Sequence, residues 1–278
     1  MENAVEIRGL GKSFDGFSFE DVSLDIPKGS VVGLIGENGA GKTTLIKCIT
    51  GAVIPDAGSI ELRLRNGRGG IGVVFDECRF PEIFTAGQLN SVMPDILNGW
   101  DRSRFASMIE AYGIDPDAKI SAYSRGMRMK VQVAAALAHD PELLIMDEPT
   151  AGMDPAAREE FLDTVLEFMQ DEDHTALVSS HITSDLERIA DYIVFIHKGR
   201  VVLSGEKDAL LERFGIARCG NDAEIREKDL VVSTRRGEFG TSMLVDGREE
   251  FRKANPDIVV DDASLEDIMV YVIRGDSQ

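Results

Sequence analysis

Apolar side chains recur at roughly every second position early in the chain. They are Val5 and Ile7, then Phe17, Phe19, Val22, Leu24 and Ile26, with Asp15-Gly16 as a turn signal between the two runs. Pro27-Lys28-Gly29 marks another turn. Val31-Val32-Gly33-Leu34-Ile35 is different, a continuous β-branched and apolar run of the kind buried on both faces of a sheet. A helix is predicted over 43–50, an alternating strand over 58–65 and an apolar strand over 71–75. From 77 to 139 the spacing turns helical, as at Met108, Ile109 and Tyr112, and Ser124 is placed to cap a helix running to Ala138. Strands resume over 143–146, 176–178, 192–196 and 201–203, with helices over 155–170 and 184–190. Strands alternating with helices predict a mainly parallel α/β core, here interrupted by a helical insert at about 77–140.

Beyond Gly215 the texture changes to a strand pair (230–234 and 241–245), a short helix (249–254), a strand (258–260) and an amphipathic helix (264–273). Cys219-Gly220-Asn221 is a candidate break, and the expected division is a large unit over 1–215 and a small α+β extension over 216–278, for which no motif suggests a role.

Composition narrows the classes. At 43% hydrophobic and 28% charged, the 278 residues are not a disordered chain. No apolar run nears the ~20 residues of a membrane-spanning helix, and the first residues lack the basic start and apolar core of a secretory signal. A soluble, cytosolic chain is therefore expected. Against 30 Lys and Arg stand 49 Asp and Glu, a net charge of −19. Such a surface repels phosphate backbones, and Arg63, Arg65, Arg68 and the pair Arg235-Arg236 form no basic patch, so no nucleic-acid partner is expected. Cys48, Cys78 and Cys219 are scattered and read as reduced thiols. Asp171-Glu172-Asp173-His174 reads as a solvated helix end rather than a metal site.

The chemistry sits at two strand ends. Gly36-Glu37-Asn38-Gly39-Ala40-Gly41-Lys42-Thr43 fits G-x-x-x-x-G-K-[ST] after a buried strand and at the start of a helix, with Thr44 next in line. Its glycines let backbone N–H groups wrap nucleotide phosphates at a helix N-terminus. Lys42 is placed to reach the β- and γ-phosphates, and the Thr43 hydroxyl to ligate Mg²⁺. Leu143-Leu144-Ile145-Met146-Asp147-Glu148 is the complement, a buried strand delivering two acids. Asp147 is placed to hold Mg²⁺ through water, and Glu148 to polarise the attacking water.

Tyr123-Ser124-Arg125-Gly126-Met127 then resembles the L-S-G-G-Q signature of ATP-binding-cassette (ABC) proteins. Ala151-Gly152-Met153-Asp154 is similar to that family's D-loop, and His181 to its switch histidine. Phe14 stands where the family has an aromatic that stacks on adenine. The resemblance covers residues 1 to about 210 in order and spacing. It implies a P-loop NTPase fold of ABC ATPase type, with an N-terminal antiparallel β subdomain and an inserted helical subdomain. It also implies ATP and Mg²⁺ as cofactors and two ATPase units paired head to tail. Ser124 and Gly126 would then contact ATP bound mainly by the second unit, and His181 the γ-phosphate and water in its own.

The full motif set in one chain favours a homodimer over a heterodimer. The S-x-G-M form of the signature resembles the exporter branch that moves antibiotics, peptides or polysaccharides, which implies a separate transmembrane permease and a place at the cytoplasmic face of the membrane. The alternative is a soluble or regulatory ABC ATPase not coupled to transport. Where the family has its Q-loop glutamine, after Phe75, this chain has Asp76, whose shorter carboxylate is expected to serve the metal instead.

Overall fold

A computed structural model describes residues 2–14, 16–238 and 240–274; Asp15 of the predicted turn lies outside them. Strands β1 (Asn3–Phe14), β2 (Phe17–Pro27) and β4 (Ala57–Leu62) form an antiparallel sheet in the order β2-β1-β4. The central sheet has six strands: β3 (Val31–Ile35), β5 (Ile71–Val74), β6 (Leu143–Asp147), β7 (Thr175–Ser180), β8 (Tyr192–His197) and β9 (Arg200–Glu206). Their order is β5-β6-β7-β3-β8-β9, parallel except for the β8–β9 pair.

Alternation along β3 assigns its side chains to two cores. Val32 and Leu34 face a cluster with Val5, Ile7 and Leu10 of β1 and with Leu45, Ile46 and Ile49 of α1 (Lys42–Thr50). Val31 and Ile35 face the opposite cluster, which holds α4 (Arg125–Leu137), α5 (Pro155–Phe168) and α6 (Thr183–Ile189) through Met129, Val133, Phe161, Val165, Leu186 and Ile189. β3 therefore reads as a continuous apolar run because both faces are covered.

The insert carries α2 (Ala86–Val92), α3 (Arg102–Ala111) and α4. Helix α4 belongs to two cores at once, since Val131, Ala134 and Ala138 pack with Leu89, Phe105 and Ile109, whereas Met129 and Val133 pack on the sheet. No helix among the described residues is long and apolar enough to cross a membrane.

After β9 come α7 (Lys207–Arg213) and β10 (Phe214–Cys219), neither of which the sequence reading includes. The last strands and helices are β11 (Val231–Gly237), β12 (Gly240–Asp246), α8 (Arg248–Ala254), β13 (Val259–Asp262) and α9 (Leu265–Arg274). The four strands form an antiparallel sheet ordered β11-β12-β10-β13. One face, with Ala217, Met243 and Val245, packs on Phe251 of α8. The other, with Ile216 and Leu244, joins Leu265 and Ile268 of α9 in the same core as α6. The C-terminal sheet is thus continuous with the main core.

Candidate active site

β3 lies between β7 and β8 and hands the chain to the loop 36–41 and then to α1. Two glycines there are set by space and backbone. A Cβ on Gly36 would sit 2.4 Å from the Ile196 carbonyl oxygen, and Gly41, the N-cap of α1, has φ 112°. The loop consequently offers backbone N–H groups at the positive end of α1. Lys42 is buried, and its ammonium donates to the carbonyl oxygens of Gly36 at 2.7 Å and Glu37 at 3.3 Å. Glu148 Oε1 lies 3.0 Å from the same nitrogen.

Glu148 leaves β6 with φ 49°, a left-handed conformation that costs about 1–3 kcal/mol for a residue other than glycine. Its N–H holds that turn by donating to Ser179 O at 3.1 Å and Ser179 Oγ at 3.0 Å. The Ser179 hydroxyl in turn donates to Asp147 Oδ1 at 2.6 Å. One serine on β7 therefore positions both acids. Glu148 Oε2 reaches His181 Nδ1 at 2.6 Å and accepts from the His181 backbone N–H at 3.3 Å. Lys42, Glu148 and His181, 139 residues apart from first to last in the chain, form one linked cluster.

A cleft of about 570 Å³ opens beside this cluster, lined by Phe14, Asn38, Gly39, Gly41, Lys42, Thr43, Thr44, Asp76 and Glu148. Ala40, within the loop, is buried. Phe14 is half-exposed, with the Lys12 ammonium 5.4 Å from its ring centre. Phe17, which the alternation assigns only to a strand, also lines the cleft and lies beneath Gly41. Asp147 is fully buried, and its Oδ2 has no hydrogen-bond partner among the described residues. Together with the Thr43 hydroxyl this is a hard-oxygen donor set that fits Mg²⁺. Among the described residues no group of three or more His, Cys, Asp or Glu gathers as a self-contained metal site, so a cation here would complete its shell with phosphate and water oxygens.

Asp76 has two environments. It faces the cleft, yet its Oδ1 accepts from the Glu77 N–H at 2.9 Å and lies 3.8 Å from Arg79 Nη2. Beneath it, buried Gln132 of α4 donates to the Phe75 carbonyl at 3.1 Å and pins the end of β5, a contact that no motif announces.

Ser124, Gly126 and Asp154 are not in this cleft. Ser124 caps α4 through Met127 N at 3.2 Å, and Asp154 caps α5 through Ala156 N at 3.1 Å and Ala157 N at 3.0 Å. A Cβ on Gly126 would meet nothing within 4 Å, which leaves the start of α4 open. The unusual signature residues have packing roles. Tyr123 is buried and donates its hydroxyl to Asp115 O at 2.6 Å, Met127 joins the helical core, and Arg125 lies against Gly152. Burial pushes the thiols of Cys48, Cys78 and Cys219 up, away from reactive thiolate.

Residues 19–151 match the family model described as ABC transporter. The lantibiotic transport ATP-binding protein SrtF of Streptococcus pyogenes is 35% identical over 212 residues, covering 73% of this chain and 91% of that protein. The chain belongs to the ATP-binding subunits of ABC transporters. The bacitracin transport ATP-binding protein BcrA of Enterococcus faecalis is 31% identical over 212 residues, 73% of this chain and 69% of that one. A solved ATP-binding subunit of an ABC transporter superposes with a TM-score of 0.67 at 27% identity, covering 75% of this chain and 92% of that one. The fold is that of an ABC ATPase, and the activity of the family is ATP hydrolysis.

Proposed function

We propose that this ABC ATPase drives export of a peptide-like antibiotic through a separate membrane-spanning subunit, working as a pair of identical chains at the cytoplasmic face of the membrane. The observation that carries the catalytic part is the Lys42–Glu148–His181 cluster beside the loop 36–41. ATP phosphates enter the loop, and Lys42 exchanges Glu148 for a phosphate oxygen. Glu148, freed from the ammonium and held by His181, accepts a proton from the attacking water. His181 sets the direction of that carboxylate and faces the γ-phosphate. Asp147 and Thr43 would hold Mg²⁺, which would neutralise phosphate charge when bound, and Asp76 would add a carboxylate at the same edge.

The open start of α4 at Ser124 and Gly126 is where the second chain's ATP docks, with Asp154 beside it in the D-loop. Phe14, on the cleft wall, stacks on the adenine. The export direction and the substrate class rest on the S-x-G-M signature and on relatives named for lantibiotic and bacitracin transport. Reconstitution of the chain with its membrane partner tests the reading. Phosphate release and antibiotic movement out of the cytoplasmic compartment should both vanish in Lys42→Ala. Uptake instead of export, or ATP turnover that survives the substitution, would overturn it.

A further inference from the structure

The C-terminal sheet carries no motif, yet it is packed against the helix that follows His181. Helix α6 starts two residues after that histidine and is clamped from two sides. On the catalytic side, Asp185 Oδ2 accepts from the Thr150 hydroxyl at 2.7 Å, both residues being buried, and Asp185 Oδ1 lies 3.6 Å from Arg158 Nη1. Thr150 is two residues beyond Glu148, so this bond ties α6 to the turn that presents the acid. On the far side, Glu187 Oε1 accepts from the Leu265 N–H at 2.8 Å, across 78 residues of sequence, and so caps the free N-terminal end of α9. The Glu187 carbonyl accepts from Lys207 Nζ at 2.9 Å, adding α7 to the clamp.

Between these bonds the packing is continuous. Leu186 and Ile189 share one buried core with Phe214, Ala263, Leu265 and Ile268, the last two fully enclosed. The same Leu186 lies against β3 so closely that a Cβ on Gly33 would come within 3.1 Å of its Cδ1. Helix α6 is therefore wedged between the central sheet and α9. The acid is also held by Ser179, on the strand β7 that runs directly into His181. The 2.6 Å contact between His181 Nδ1 and Glu148 Oε2 thus depends on how the junction of β7 and α6 is seated, and α6 leans on α9 and, through it, on the C-terminal sheet.

We propose that residues 214–274 act as a positioning element for the hydrolytic pair, with Glu187 and Leu265 transmitting the placement of α9 through α6 to His181. The inference rests on the reading of Glu148 and His181 as that pair. A misplacement well below 1 Å suffices to cost about tenfold in rate, since 1 Å costs roughly a hundredfold.

The experiment uses the purified full-length chain and measures kcat and KM for ATP, affinity for a fluorescent ATP analogue, and melting temperature. Glu187→Ala and Leu265→Ala should lower kcat by about tenfold with KM and analogue affinity unchanged. Glu187→Gln should keep the wild-type kcat, because its amide oxygen still accepts the Leu265 N–H. Phe251→Leu, which loosens the opposite core of the C-terminal sheet without touching α6, should lower the melting temperature and leave kcat alone. Wild-type kcat in both Glu187→Ala and Leu265→Ala would overturn the proposal, as would an equal loss of kcat in Phe251→Leu. His181→Ala, measured in parallel, separates the two readings. If it keeps wild-type turnover, the catalytic pair itself is misassigned; if it alone loses turnover, only the role of the C-terminal sheet falls.

Discussion

Replacing Glu148 by Gln should separate nucleotide binding from hydrolysis. The Lys42 ammonium has three contacts: two carbonyl oxygens of its own loop and, at 3.0 Å, Glu148 Oε1. Lys42 and Glu148 are both largely shielded, with side-chain exposures of 5% and 14%. At that distance and an effective dielectric of about 20, the charge–charge attraction is about 5.5 kcal/mol, and an incoming phosphate must displace it. The amide of Gln keeps the shape and removes the charge. Much of this attraction returns as attraction between Lys42 and phosphate, so a net change of roughly 1.4 kcal/mol, about tenfold tighter ATP binding, is expected.

Hydrolysis should move the other way. An amide cannot take the proton of the attacking water, and loss of a positioned general base typically costs about 10²–10⁴-fold. The assay is single-turnover phosphate release together with equilibrium titration of ATP on the same preparation. Turnover within a few-fold of wild type would refute the base assignment, and binding weakened tenfold would refute the competition for Lys42.

Three further outcomes follow from the same geometry. Light scattering of Glu148→Gln with ATP should report a mass near twice that of the chain without nucleotide, as follows if the open start of α4 at Gly126 receives the ATP of a second chain; an unchanged mass would exclude the homodimer. In a Mg²⁺ titration of ATPase, Asp76→Ala should shift the half-maximal concentration upward about tenfold and Asp76→Gln should recover part of it. A flat series across Ala, Asn and Gln would reduce Asp76 to its hydrogen bond with Glu77. His139, buried with Nε2 3.2 Å from the Ile71 carbonyl oxygen, is pushed by that burial below the usual histidine range. The fold therefore binds that proton less readily than the unfolded chain, which takes it up near pH 6.5, so this contribution to stability is complete above that pH and falls below it. Melting curves should show His139→Gln losing less than wild type from pH 6.5 to 5.5, by up to about 1 kcal/mol; parallel curves would contradict this.

The sequence determined the parts whose physics is local. A strand covered on both faces must be apolar at every position, so Val31–Ile35 announces itself, and a loop position where a Cβ would fall 2.4 Å from a carbonyl oxygen can only carry glycine, as at Gly36. Ser124 announces a helix start because capping is settled within three residues. Strand β10 was hidden because Gly215, Ala217 and the Cys219-Gly220 break look like a linker until two neighbouring strands supply its hydrogen bonds.

Contacts between distant segments were decided by the tertiary structure alone. The serine that holds Asp147 and Glu148 is 31 residues from the second acid, and Glu187 finds the Leu265 N–H across 78. Nothing in local spacing encodes such pairs, since they exist only once sheet order has brought β6 beside β7 and the shared core has seated α9 on α6. The motif residues name the chemistry. Whether their carboxylate, ammonium and imidazole actually meet depends on strand neighbours and buried contacts that the folded chain supplies.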